Sequence, residues 1–343
     1  MIRVGPAGWN YKDWAGVAYP EPKPKGFDPL AYLARWFDAI EINSSYYGPP
    51  TPETARKWLG RIAANPRFRF TAKLWKRFTH ERKEAFTRAE VQETCRGLDP
   101  LHRAGRLGAL LLQFPWSFRR SDENRQWLDD VTMTFRRFPL VLEVRHESWN
   151  VPEFYDELVE RGIGFVNIDQ PLYRHSIKPS ARVTSGVGYI RVHGRNYQDW
   201  FRKDAGVAAR YDYLYPAVEL KPWARRAREI DAEADETYVI TNNHYKAKAL
   251  VNAVMLEAML AKRKVAAPPE LVAAYPGELT PVVAGVRASA ARRGAGRCGR
   301  ESRARPAGDR DRRRARDRRN GCTTRSRLPG RRAARRGRRG GGG

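Results

Sequence analysis

Leu140-Val141-Leu142-Glu143-Val144-Arg145 is the stretch that decides how this chain is read. Successive side chains of a strand face opposite sides, so Leu142 and Val144 share one face while Glu143 and Arg145 share the other. The same switch to polar side chains near a strand's C-terminal end recurs four more times. Ile40 and Ile42 alternate with Glu41 and Asn43, Phe70 and Ala72 with Thr71 and Lys73, Val166 and Ile168 with Asn167 and Asp169, and Ile190 and Val192 with Arg191 and His193. Charge inside a fold is costly unless it is paired or solvated. A β/α barrel accommodates such strands, because the apolar face packs on outer helices and the polar face points inward at the C-terminal mouth, where active sites of this architecture lie.

Outward from these five strands the chain alternates short apolar runs with longer amphipathic ones. The strands are expected at Ile2–Gly5, Ala39–Asn43, Phe68–Lys73, Leu107–Phe114, Leu140–Arg145, Gly164–Asp169, Gly188–His193 and Thr237–Asn242. Helices are expected near Pro29–Phe37, Glu53–Ala63, Arg88–Arg103, Asp122–Phe138, Pro152–Arg161, Glu219–Ala232 and Lys246–Arg263. Thr51-Pro52-Glu53 and Ser121-Asp122-Glu123 carry an oxygen cap followed by acids, and Val151-Pro152-Glu153 a first-turn proline. Gln170–Val187 has no helical pattern and reads as a long loop with a short strand at Arg182–Thr184. Eight strands alternating with helices predict an α/β fold of the TIM-type (β/α)8 class. The rival is an open doubly wound sheet, but Gly5-Pro6-Ala7-Gly8-Trp9 is too sparse in glycine for a dinucleotide turn.

Composition narrows the class further. The 343 residues hold 65 Lys and Arg against 38 Asp and Glu, a net charge of +27. Residues 287–343 contain 22 Arg, no Lys, three Asp and one Glu, so +18 of that charge sits in the last 57 residues and +9 in the rest. Leu328 is the one large aliphatic side chain there, and such a segment should be disordered. It reads either as an arginine arm for phosphates or as a translated shifted frame of a GC-rich coding region, so no function is drawn from the +27. The expected organisation is a barrel over residues 1–265, a C-terminal extension over 266–286 and the tail over 287–343. Three cysteines without metal-ligand spacing (Cys95, Cys298, Cys322), no signal-peptide stretch and no membrane-length apolar run point to a cytoplasmic protein with no membrane contact.

Several motifs then stand out in order along the chain: Gly8-Trp9-Asn10-Tyr11-Lys12-Asp13-Trp14 with Tyr19-Pro20, Glu41-Ile42-Asn43-Ser44-Ser45-Tyr46-Tyr47, Phe70-Thr71-Ala72-Lys73 with Thr79-His80, and Leu111-Leu112-Gln113-Phe114-Pro115. They continue with Glu143-Val144-Arg145-His146-Glu147-Ser148-Trp149, Arg191-Val192-His193-Gly194, Tyr211-Asp212-Tyr213 and Asn242-Asn243-His244-Tyr245. In these motifs the chain resembles the YecE-like family, also called domain of unknown function 72. The resemblance implies a TIM-type barrel over roughly residues 1–265 and brings no assigned reaction. The family's barrel is similar in shape to those of sugar isomerases and metal-dependent apurinic-site endonucleases, but a shared barrel does not transfer function.

The residues themselves must then suggest the chemistry. Glu41, Glu143, Asp169 and His193 are the candidate acid–base groups. Lys73, Arg145 and Arg191 are candidate anion clamps, joined at the mouth by Asn43, His80, Gln113, His146, Asn242, Asn243 and His244. Trp9, Tyr46 and Trp149 follow polar strand ends and are expected to face a ligand. The blander alternative is that Glu143, Arg145, Arg191 and Asp169 neutralise one another as a buried structural network. No cofactor is expected. A divalent metal is the minor alternative, opposed by the dense lysine and arginine and by the lack of an HExxH or His-x-His motif. The leading expectation is an enzyme acting on a small anionic or phosphorylated, sugar-like substrate. A nucleic-acid-binding mouth, with or without phosphodiester cleavage, is second, and a ligand-binding module without catalysis third.

Overall fold

The computed structural model describes residues 1–198 and 211–285, so the arginine-rich tail lies outside the described residues. Eight strands alternate with helices: β1 (Ile2–Pro6), β2 (Ala39–Ile42), β3 (Arg69–Lys73), β4 (Leu107–Gln113), β5 (Leu140–Glu143), β6 (Gly164–Asp169), β7 (Val187–Val192) and β8 (Glu236–Thr241). All neighbouring strands run parallel, in the order β1-β8-β7-β6-β5-β4-β3-β2. The two edges of that sheet, β1 and β2, meet through the Ala7–Glu41 bridge, where Gly8 N donates to Glu41 O at 2.8 Å. The sheet thus curls into a barrel, and the open-sheet alternative is set aside. Gly5 permits this seam: a Cβ there would lie 1.8 Å from the Ala39 carbonyl oxygen.

Helices α1 (Pro29–Leu33), α2 (Pro52–Arg61), α3 (Lys76–Thr79), α4 (Arg88–Arg103), α5 (Asp122–Phe135), α6 (Pro152–Glu160), α7 (Ala217–Asp231) and α8 (Lys248–Ala261) follow their strands. Their starts are chemically specified. Thr51 Oγ1 accepts from Thr54 N, Ser121 Oγ accepts from Asn124 N, and Thr87 and Glu90 form a reciprocal capping box. The helix expected from Lys246 starts two residues later, because Lys246 and Ala247 adopt left-handed backbone at φ 48° and 60°. Beyond α8, α9 (Pro269–Ala274) and α10 (Pro276–Leu279) bury Leu271 and Leu279. No helix among the described residues is long and apolar enough to cross a membrane.

Register fixes which side chains point inward, since paired residues of parallel strands face the same way. Glu41 pairs with Thr71, Lys73 with Leu111, Gln113 with Glu143, Val141 with Gly164, Val166 with Tyr189 and Arg191 with Ile240. Glu41, Lys73, Gln113, Glu143 and Arg191 therefore converge inside the barrel. β6 departs from expectation. Its inward residues are Val166 and Ile168, and Asn167 and Asp169 face out. The reason lies in what covers β6. Instead of a helix, residues 170–186 return across it in irregular conformation, without the strand expected at Arg182–Thr184. That backbone needs partners. Asn167 Oδ1 accepts from Arg182 N at 2.8 Å and from Ser180 Oγ at 2.7 Å, while its Nδ2 donates to Arg182 O at 2.9 Å.

Candidate functional site at the barrel mouth

The site has two tiers. The lower one is a sealed ion lattice built from the ends of β2, β5 and β7. Arg191, 1% exposed, donates to Glu41 Oε1 at 2.7 Å and to Glu143 Oε2 at 2.5 Å, and both carboxylates are fully buried. Glu143 Oε1 also accepts from Arg145 Nε at 2.8 Å and lies 3.3 Å from His193 Nε2. Glu41 Oε2 accepts from the Tyr189 hydroxyl at 2.9 Å, which also meets Thr71 Oγ1 at 2.8 Å. All four carboxylate oxygens are thus engaged. A buried carboxylate is tolerable only on such terms. Burial pushes the Glu143 carboxyl up, but Arg191 and then Arg145 outweigh it and hold the group well below the usual carboxylate range. Burial also pushes His193 down to about 3, against the pull of Glu143. The neutral imidazole accepts from Asn242 Nδ2 at Nδ1 (3.0 Å), which leaves the Nε2 proton directed at Glu143.

The upper tier is an open cavity of about 850 Å³ above this lattice. Seven of the eight strand ends reach it: Trp9 after β1, Asn43, Tyr46 and Tyr47 after β2, Lys73 and His80 from β3 and beyond, Gln113 and Trp116 from β4, Arg145 after β5, Tyr211 after β7, and Asn242 and His244 after β8. Lys73 Nζ donates to Gln113 Oε1 at 3.0 Å and lies 4.2 Å from the centre of the Tyr46 ring. Burial, then the nearby Arg191, brings the Lys73 ammonium down to about 7, opposed by Glu41 and Glu143. Burial and the Lys73 charge lower His80 to about 4, so it is a neutral ring at pH 7. Tyr11 stacks on His244 with ring centres 4.5 Å apart and receives Asn43 Nδ2 on its hydroxyl at 3.3 Å. Among the described residues no group of three or more His, Cys, Asp or Glu could hold a metal ion.

Of the residues singled out from sequence, Trp9, Asn43, Tyr46, Lys73, His80, Gln113, Arg145, Asn242 and His244 line the cavity. Glu41, Glu143, Arg191 and His193 do converge, but as its buried underlay rather than as hydrated groups open to a guest. Four others stand aside. Trp149 is buried against Phe118, to whose carbonyl its Nε1 donates at 2.7 Å, and it serves the loop core. His146 Nδ1 contacts Ser148 Oγ at 2.9 Å beside Trp116. Asn243 is buried and donates to Tyr213 O and Asn252 Oδ1. Asp169 faces outward and binds Arg195 through both oxygens, at 2.9 and 3.1 Å. Trp58 and Arg61 of α2 join the lining unannounced by sequence, where they look like any other residues of an amphipathic helix.

Residues 3–274 match the family described as "Protein of unknown function DUF72". UPF0759 protein YunF of Bacillus subtilis (strain 168) is 28% identical over 257 residues, which span 71% of this chain and 89% of that protein. UPF0759 protein YecE of Escherichia coli (strain K12) is 27% identical over 165 residues, 48% of this chain and 55% of that one. Among solved structures, a DUF72 family protein from Thermotoga maritima superposes with a TM-score of 0.66 at 32% identity, covering 76% of this chain and 99% of the other. A DUF72 family protein from Enterococcus faecalis gives 0.65 at 25% identity over 76% and 96%.

Proposed function

This chain belongs to the family of proteins of unknown function DUF72, and we propose that within it the barrel mouth binds a small anionic, sugar-like molecule, such as a sugar phosphate, and moves a proton on it. One observation carries the reading. No Asp or Glu lines the cavity among the described residues, whereas Arg61, Lys73 and Arg145 do. A cavity whose charged walls are all cationic lowers the energy of an anion within it. The amides of Asn43, Gln113 and Asn242 offer hydrogen bonds suited to hydroxyls, and the rings of Trp9, Tyr46 and Trp116 offer flat apolar faces.

The proton carrier in this reading is Lys73. Across the physiological range Glu143 stays ionised, held so by Arg191 and Arg145, and His193 stays neutral, held so by burial. Lys73, near 7, exchanges a proton at neutral pH and faces the guest. Arg145, tied to Glu143, presents its guanidinium as the anion clamp. The work is of isomerase or lyase type: a proton taken from or given to a carbon or oxygen beside the bound anion.

Thermal unfolding of the full chain tests this. Ribose 5-phosphate and glycerol 3-phosphate should raise Tm, ribose and glycerol should not, and Arg145→Gln should abolish the ligand-induced rise. Equal stabilisation by the uncharged compounds, or an undiminished rise in the variant, refutes it. A second reading, stacking of unpaired nucleic-acid bases, draws on Tyr47, which is 72% exposed on the rim beside Tyr46. It requires that Tyr47→Ala weaken binding of a short oligothymidine several-fold while the response to ribose 5-phosphate is retained.

A further inference from the structure

We propose that Lys73 captures a carbonyl group: its Nζ joins an aldehyde or ketone carbon of the anionic guest as a Schiff base. The inference rests on the anion-binding reading above and narrows its substrate to a molecule bearing both an anion and a carbonyl.

The geometry isolates this amine from counter-charge. Its carboxylate neighbours, Glu41 and Glu143, have every oxygen engaged by Arg191, Arg145, Tyr189 or His193. Among the described residues Lys73 has no carboxylate within ion-pair distance, and its Nζ meets a neutral amide oxygen and the face of a tyrosine ring. Lys57, Lys76 and Lys248 instead each bind a carboxylate. The charged and titratable groups facing Lys73 are Arg191 from β7, Arg145 from β5, Glu41 from β2, Glu143 from β5, and His80 and Tyr46 from the loops above. Burial first, and then the Arg191 guanidinium, favour the neutral amine, the nucleophilic form. An amine titrating near 7 is half neutral at pH 7. That is roughly a thousandfold more than an ordinary lysine.

The chemistry balances without a redox partner. The Nζ lone pair attacks the carbonyl carbon, the C–N bond forms, and the C=O π pair moves to oxygen, which takes a proton. The nitrogen gives up a proton, the oxygen takes another, and the C–O bond breaks to release water. Overall, ammonium and carbonyl become iminium and water, and two of the three ammonium hydrogens leave in that water. Arg145 in the same lining is placed to hold the guest's anion while this proceeds.

The test uses the full chain with glyoxylate or dihydroxyacetone phosphate and cyanoborohydride, followed by peptide mass mapping. Lys73 should be reductively alkylated at pH 7 roughly tenfold or more faster than exposed Lys57, since about half of Lys73 is neutral there. Its rate should level off above about pH 7. Glycerol 3-phosphate, which has no carbonyl, should protect Lys73 and raise Tm. If Lys73 reacts no faster than Lys57, the Schiff-base role is overturned, and a Tm rise with glycerol 3-phosphate would still leave anion binding standing. Preferential alkylation of Lys73 without that rise would support the nucleophile and remove the phosphate reading.

Discussion

Arg191 is the side chain on which the floor of the mouth depends. It neutralises two buried carboxylates that would otherwise face one another, and removing one member of such a set strands uncompensated charge. Arg191→Met should therefore cost about 3–5 kcal/mol in urea unfolding. Lys73 works in the opposite sense. Folding lowers its pKa from 10.5 to about 7, so between those values the unfolded chain holds a proton that the folded one has released. Stability from this group is lacking below pH 7 and is regained as pH rises toward 10.5. Lys73→Met should thus gain on the order of 1 kcal/mol or more at pH 7 and flatten stability between pH 7 and 10, measured by denaturant titration across that range. His193, lowered from 6.5 to about 3, has the matching acid arm: its contribution is complete above 6.5 and is lost as pH falls toward 3.

At the scale of elements, β6 shows how a strand's surroundings choose its inward face. The alternation of Val166 and Ile168 with Asn167 and Asp169 is legible in the sequence, but alternation leaves open which side is inside. The returning segment 170–186 decides it, because its unpaired backbone takes the Asn167 amide as a partner. Asn167→Leu should cost about 1–3 kcal/mol in stability, and the Arg182 amide should lose protection in hydrogen exchange. An unchanged Arg182 exchange rate would remove this account of β6. Helix starts at Thr51 and Ser121 are legible locally, since a cap joins residues only three apart. Thr87→Ala, which breaks the capping box of α4, should cost about 1 kcal/mol in the same assay.

For the whole molecule, closure is the property on which the site rests, since Glu41 of β2 and Arg191 of β7 meet only across a curled sheet. Gly5→Ala places a Cβ against the Ala39 carbonyl at the β1–β2 seam and should abolish cooperative unfolding or lower Tm sharply, read by circular dichroism. The sequence by itself determined the eight strands, seven of the helices and about half of the cavity lining, because these follow from side-chain periodicity and from which residues end each strand. Only the tertiary structure decided that Glu41, Glu143 and His193 lie sealed beneath the mouth, that Asp169 and Trp149 serve the surrounding loops, and that among the described residues no carboxylate pairs with Lys73. Those outcomes depend on which distant oxygens each arginine reaches, and charge pairing across a closed barrel leaves no local trace along the chain.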